Sequence, residues 1–240
     1  MRGMETILLK ADALGRIEIV DDGAGRRIRR DTRAARFGLR WFARSAAARE
    51  ARVLRALTGL DGVPQLIVWE RGVLERSYMD GAPMQRAQPR DPRYYRAAHA
   101  LLKRLRARGV AHNDLAKEPN WLQRADGSPA VVDFQIAWVS RRRGSLFRLL
   151  AREDLRHLLK HKRSYCPEAL TPVEHRVLAK RSWIAGAWKA SGKRLYKLVA
   201  RRLFGYWDNE GQGRVRDSAA GPSPHMSGEK VADRPDEGRS

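Results

Sequence analysis

Apolar residues fall in short runs over the first eighty positions and recur at three- and four-residue intervals after them. Ile7, Leu8 and Leu9 form one run, Ile17 and Val20 lie in a second, and the RRIRR segment at 26–30 makes a third. Gly15 and the DDGAG cluster at 21–25 separate them, and Asp and Gly tolerate the tight turns between antiparallel strands. Residues 43–58, ARSAAAREARVLRALT, predict a helix with Glu50, Leu54 and Leu57 on one face. Gly59 and the DGVP turn at 61–64 end it. Strand character returns at 65–79 in QLIVWE and VLERSYM, split at Arg71 and Gly72.

Pro92 then opens a helix in which Tyr94, Ala98, Leu101 and Leu105 share a face, and Gly109 closes it. A loop, AHNDLAKEPN, leads to two short strands, NWLQ and AVVDF, joined by an ADGSP turn. Further helices are expected at 146–161, about 172–189 and 191–204. The pattern predicts an α+β chain, with a strand-rich part over 1–80 and a mainly helical part over 81–207. Residues 208–240, rich in Gly, Pro, Ser and charge, are expected to be disordered.

Charge and cysteine usage narrow the classes. Lys and Arg number 49 against 27 acidic residues, a net charge of +22. The stretch from 208 holds seven acidic and five basic residues, which leaves +24 on the rest. Such a body attracts nucleic acid, anionic lipid or phosphorylated small molecules at long range. No helix-turn-helix or RNA-binding signature accompanies it, so nucleic acid is the less favoured partner. The single Cys166 excludes an internal disulfide framework and a cysteine metal cluster. No run of 18 apolar residues is present, and Lys10 and Asp12 interrupt the N-terminal apolar run early. A cytoplasmic location is therefore expected.

The chemistry concentrates in GVAHNDLAKEPNWLQRADGSPAVVDFQIA at 109–137. It sets Asp114 in a loop after a helix, Asn120 at the start of a strand and Asp133 at the end of the next. Two carboxylates and an amide on adjoining element ends suit a hard, oxygen-ligated cation such as magnesium, with ATP phosphates completing its shell. His157 and His161 share a helix face four residues apart, without an acidic third ligand. They are expected to be solvated or to face a membrane rather than to bind metal.

HNDLAKEPN at 112–120 and DFQ at 133–135 resemble the catalytic loop and D-F-G segment of the protein-kinase superfamily. More narrowly, the chain resembles small bacterial kinases grouped with RIO-like and lipopolysaccharide-core kinases. The resemblance covers roughly residues 6–165 and is strongest at 109–137. It implies a trimmed, two-lobed protein-kinase-like fold with a small strand-rich N-lobe and a mainly helical C-lobe.

By that resemblance Asp114 orients or deprotonates the acceptor hydroxyl, Asn120 and Asp133 hold magnesium on the nucleotide, and His112 braces the loop. Lys117 contacts either phosphate or the loop backbone. Arg30, on a predicted strand, stands twenty residues before Glu50 and takes the place of the strand lysine that pairs with a helix glutamate, with Arg29 as its rival. LERSYMDG at 74–81 is expected to connect the lobes and meet the adenine ring.

The chain departs from the family pattern at four points. Only Gly15 remains of a glycine-rich phosphate loop, arginine replaces the strand lysine, Asp114 and Asn120 are one residue further apart, and Gln135 stands where glycine is usual. The expected activity is ATP- and magnesium-dependent phosphoryl transfer to a hydroxyl of a protein serine or threonine, or of a sugar or lipid-linked saccharide. A pseudokinase or a basic nucleic-acid-associated scaffold is the alternative. After DFQIA no activation segment of the usual kind follows. Arg141, Arg142 and Arg143 instead precede an apolar-basic helix, which allows peripheral contact with an anionic membrane at its inner face.

Overall fold

A computed structural model of the chain describes residues 5–23 and 25–179. The helix expected at 191–204, the disordered tail expected from 208 and the end of the helix expected at 172–189 lie outside these residues. The first lobe is a five-stranded antiparallel sheet of β1 (Glu5–Asp12), β2 (Gly15–Asp21), β3 (Arg26–Asp31), β4 (Leu66–Glu70) and β5 (Val73–Ser77), in the order β1-β2-β3-β5-β4. Gly15, at the β1–β2 turn, has a φ of +120°, and a Cβ there would sit 2.2 Å from the Asp31 carbonyl oxygen. Glycine is required at this position by the close approach of β3, whatever the turn does with a nucleotide.

One helix, α1 (Arg40–Ala56), crosses this sheet and begins three residues before its predicted start. Ala43, Ala47, Glu50, Ala51 and Leu54 are buried along one stripe, and the small alanines let the helix approach Leu74 of β5 closely. The register of β3 and β5 decides which arginines share that face. Arg30 pairs with Leu74 and Ile28 with Arg76, whereas Arg29 pairs with Glu75. Directly opposed residues lie on one face of a sheet. Arg30 and Arg76 therefore point with Leu74 toward α1, and Arg29 points away, where its Nε lies 3.7 Å from Glu75.

The second lobe follows the connecting segment Tyr78–Gly81. A two-residue strand, β6 (Ala82–Pro83), leads into a short helix absent from the sequence reading, α2 (Met84–Ala87). Next comes α3 (Pro92–Ala107), whose first turn is capped by Asp91 accepting from Arg93 N–H at 2.8 Å. β7 (Val110–Ala111) pairs with a second unforeseen two-residue strand, β10 (Trp138–Val139). β8 (Trp121–Gln123) lies between β6 and β9 (Pro129–Val131). α4 (Ser145–Tyr165) runs four residues past its expected end, and α5 (Pro172–Ala179) follows.

The core does not stop at the lobe boundary. Val53 and Leu54 of α1 and Leu57 just after it pack in one cluster with Leu101 and Leu105 of α3, Trp121 of β8, Phe134 and Leu158 of α4. Arg124 clasps Asp61 through two hydrogen bonds of 2.9 and 2.8 Å, and Val131 N–H donates to the Gly62 carbonyl at 2.9 Å. Both contacts tie the α1–β4 connection to the β8–β9 hairpin. Among the described residues no helix is long and apolar enough to cross a membrane.

Candidate active site

The loop between β7 and β8 holds Asp114, and α4 fixes its backbone from below. Asp154, buried in α4, accepts the His112 N–H at 2.7 Å and the Asn113 N–H at 2.9 Å. His161, two turns further along the same helix face, donates from Nε2 to the Leu115 carbonyl at 2.8 Å. Three of the residues around Asp114 are thus anchored, and Asp114 projects from between them. Asn113 accepts a φ of +66° to make this turn, and Asn tolerates the left-handed region better than most residues. Burial pushes the Asp154 carboxyl up to about 6, against the pull of its two backbone donors.

His112 is fully buried, with its ring centroid 4.6 Å from that of Phe134. Its Nε2 donates to the Val132 carbonyl at 2.9 Å, which leaves Nδ1 to accept the Asp114 N–H at 3.4 Å. Burial lowers its pKa, so the ring is neutral and the tautomer follows from these two bonds. The histidine thereby couples the loop to the backbone beside Asp133.

Asp114, Lys117 and Asn120 form one contact group. Lys117 Nζ lies 3.1 Å from Asp114 Oδ2, and Asn120 Nδ2 donates to the same oxygen at 3.0 Å and to the Asp114 carbonyl at 2.9 Å. Two consecutive turns, Lys117 N–H to Asp114 O and Asn120 N–H to Lys117 O, absorb the extra residue of this loop. Asn120 ends a turn of 3-10 helix rather than opening the strand, and β8 begins at Trp121. Asp133 lies two residues past the end of β9, with a φ of +67° and Oδ1 accepting from Gln135 Nε2 at 2.7 Å. A non-glycine residue held in this region stores strain of about 1–3 kcal/mol, a cost that clusters at functional positions.

A second group lies under the sheet. Glu50 is wholly buried, with Arg76 Nε at 3.2 Å and Arg30 Nε at 3.9 Å. Its closer partner is Arg76, which the sequence reading did not single out. The signal available was the alternation of β5, where Arg76 follows buried Leu74 by two. Burial lowers the Arg76 pKa, the Glu50 carboxylate raises it, and Asp133 raises it further. Asp133 also acts on His112, as does Asp114. Asp133 is therefore felt by both His112 and Arg76.

Asp154 and His161 are the other residues missed by sequence reasoning. His161 is buried and braces the loop, which corrects the expectation of a solvated or membrane-facing residue. His157 is half-buried, and burial pushes its pKa down to about 4. Among the described residues no group of three His, Cys, Asp or Glu side chains could hold a metal alone. The Asn120 amide and Asp133 carboxylate do fit magnesium, which binds through one or two protein oxygens and takes the remainder from phosphates and water.

The segment Tyr78–Gly81 is held by Arg26, whose guanidinium lies 4.6 Å from the Tyr78 ring centroid and 2.6 Å from Asp80. A cavity of about 520 Å³ borders Ser77–Asp80, walled by Leu60, Val63, Gln65 and Arg124. Neither Asp114, Asn120 nor Asp133 lines it.

No protein-family model matches the chain, and no curated protein matches it. Solved structures do. The Rio2 kinase-ADP/Mg2+-phosphoaspartate complex from Chaetomium thermophilum superposes with a TM-score of 0.52 at 18% identity, over 81% of this chain and 68% of that one. Another structure of the Rio2 kinase from the same organism gives a TM-score of 0.55 at 19% identity, over 81% of this chain and 70% of that one. The chain has the two-lobed α+β fold of the protein kinases.

Proposed function

We propose that the chain is an ATP- and magnesium-dependent phosphotransferase, a small bacterial kinase of the RIO-like and lipopolysaccharide-core type, with a hydroxyl as acceptor. The observation that carries this is the loop anchored on α4, which presents Asp114 with Lys117 and Asn120 in contact and Asp133 close enough to act on the shared His112. Support comes from the fold shared with the Rio2 kinase, one structure of which holds ADP and Mg2+.

Lys117 and Asn120 both approach Oδ2 of Asp114, so Oδ1 is the atom that receives the acceptor hydroxyl. A general base so placed contributes ~10²–10⁴ in rate. Asn120 commits its Nδ2 to Asp114, so its amide oxygen would be the atom offered to magnesium. Asp133 would supply a second oxygen. Bound there, magnesium would neutralise charge on the nucleotide phosphates. Glu50 holds Arg76, which feels the charge of Asp133, and Arg30, the partner farther from Glu50, would meet a phosphate. Tyr78–Gly81 borders the adenine. The acceptor is a protein serine or threonine, or a sugar or lipid-linked saccharide, and the absence of a usual activation segment favours the saccharide.

Thermal shift with ATP tests this directly. ATP should raise Tm only with magnesium present, and Asp133→Ala should remove the shift while leaving the Tm of the free protein within a few degrees. A magnesium-independent shift, or an equal shift in the variant, would take Asp133 out of the site.

A further inference from the structure

The start of α1 carries a surface that phosphoryl transfer does not use. Between Asp31 and Glu50 the chain has five arginines and no acidic residue. Phe37 and Trp41, one helical turn apart, are 91% and 80% exposed, and Phe42 beside them is 52% exposed. Arg36, Arg40 and Arg44 follow at four-residue spacing, all exposed. Rotation of the helix cannot bury these rings, because Ala43, Ala47 and Ala51 already occupy the face toward the sheet. Single exposed apolar residues are ordinary, but three adjacent aromatic rings mark an interaction site.

Two neighbouring elements meet this segment. Arg36 N–H donates to the Ala13 carbonyl at 3.1 Å, which joins the β1–β2 turn to this segment. On the same lobe β1 leaves Ile7, Leu8 and Leu9 exposed. β10 packs against α1 and adds the exposed Trp138.

We propose that this surface docks the protein on an anionic lipid bilayer, with Phe37 and Trp41 at headgroup depth and Arg36, Arg40 and Arg44 on lipid phosphates. The charge is complementary, since a run of arginines uninterrupted by acid faces the ligand on a chain of net charge +22. Trp and Phe beside Arg match the layered polarity of a membrane interface. Single-stranded nucleic acid also pairs arginine with aromatic rings. These rings stand out from a helix start instead of lining a groove, however.

Flotation of the full chain with phosphatidylcholine vesicles, with and without phosphatidylglycerol, tests the proposal. Wild type should float with the anionic vesicles and not with the neutral ones. Phe37→Ser with Trp41→Ser keeps every charge, and should lower anionic partitioning at least about tenfold with Tm unchanged. Arg40→Gln with Arg44→Gln should lower it by about tenfold or more, at ~1 kcal/mol per charge. In vesicles of brominated lipid, Trp41→Phe should show weaker fluorescence quenching than wild type, whatever the stability of the serine variant. Undiminished flotation of the folded serine variant would show attraction by body charge alone, and undiminished quenching in Trp41→Phe would place that ring outside the bilayer. Either result overturns the proposal. So would an oligonucleotide affinity that falls in the serine variant while its flotation does not.

Discussion

Glu50 is wholly buried with two guanidinium groups beside it, so its contribution depends on which arginine it holds. Arg76 is the nearer at 3.2 Å, against 3.9 Å for Arg30, and the two arginines are comparably buried. Removing one partner of a buried pair typically costs about 3–5 kcal/mol, because the remaining charge stays desolvated. Urea unfolding should therefore show Glu50→Gln strongly destabilised. In double-mutant cycles Arg76 and Glu50 should couple more strongly than Arg30 and Glu50. Coupling of equal or opposite rank would show that Arg30 is the structural partner. The sequence placed Glu50 on the inward face of its helix but offered no way to rank its partners. Arg29, Arg30 and Arg76 are identical letters on strands, and only the β3–β5 register, Arg30 against Leu74, separates inward from outward.

At the scale of elements, the second lobe works through α4. Its buried stripe carries Asp154, Leu158 and His161 at spacings of four and three, so a carboxylate and an imidazole reach the loop from one helix face. Asp154→Ala leaves the N–H groups of His112 and Asn113 without their acceptor, at about 1–3 kcal/mol each. The variant should lose several kcal/mol in urea unfolding, and Asp154→Asn, which keeps one carbonyl acceptor, should recover part of it. An alanine variant as stable as wild type would mean the loop holds itself.

Helix periodicity made α1, α3 and most of α4 legible, and the HNDL and VVDF strings located the loop and Asp133. Asp154 was not legible, since an acid within an arginine-rich helix reads as a surface residue until its partner, a bare backbone, is known. Two-residue strands such as β10 carry no period at all. Gly15 was legible as a turn glycine, but the Asp31 carbonyl that excludes a side chain there lies sixteen residues away and was not.

Across the whole molecule, the lobes share a core and are clasped by Arg124 on Asp61, so pH acts on one cooperative body. His99, His112, His157 and His161 all have pKa values lowered first by burial, with His157 pushed down to about 4. A base whose folded pKa is depressed binds protons preferentially in the unfolded chain, so stability falls as pH drops below about 6.5. Asp154 has the opposite sign, because its folded pKa of about 6 lies above the ordinary value and protonation favours the folded form. Four bases outweigh one acid. Tm should fall steadily from pH 7 to pH 4, and a Tm that rose over that interval would mean the histidines are not held neutral.

In the proposed function Asp114 serves the acceptor and not the nucleotide. Its most direct measurement is transfer from γ-labelled ATP by wild type and Asp114→Asn, with protein, lipid-saccharide and soluble-metabolite fractions offered separately and ATP affinity measured in parallel. Asn keeps the shape of the side chain but cannot take a proton, so transfer should fall by ~10²–10⁴ while ATP affinity stays within a few-fold. Label lost from a lipid or saccharide product would identify the acceptor class, and label lost only from a defined protein would assign a protein acceptor. Transfer by Asp114→Asn equal to wild type in every fraction would contradict the account.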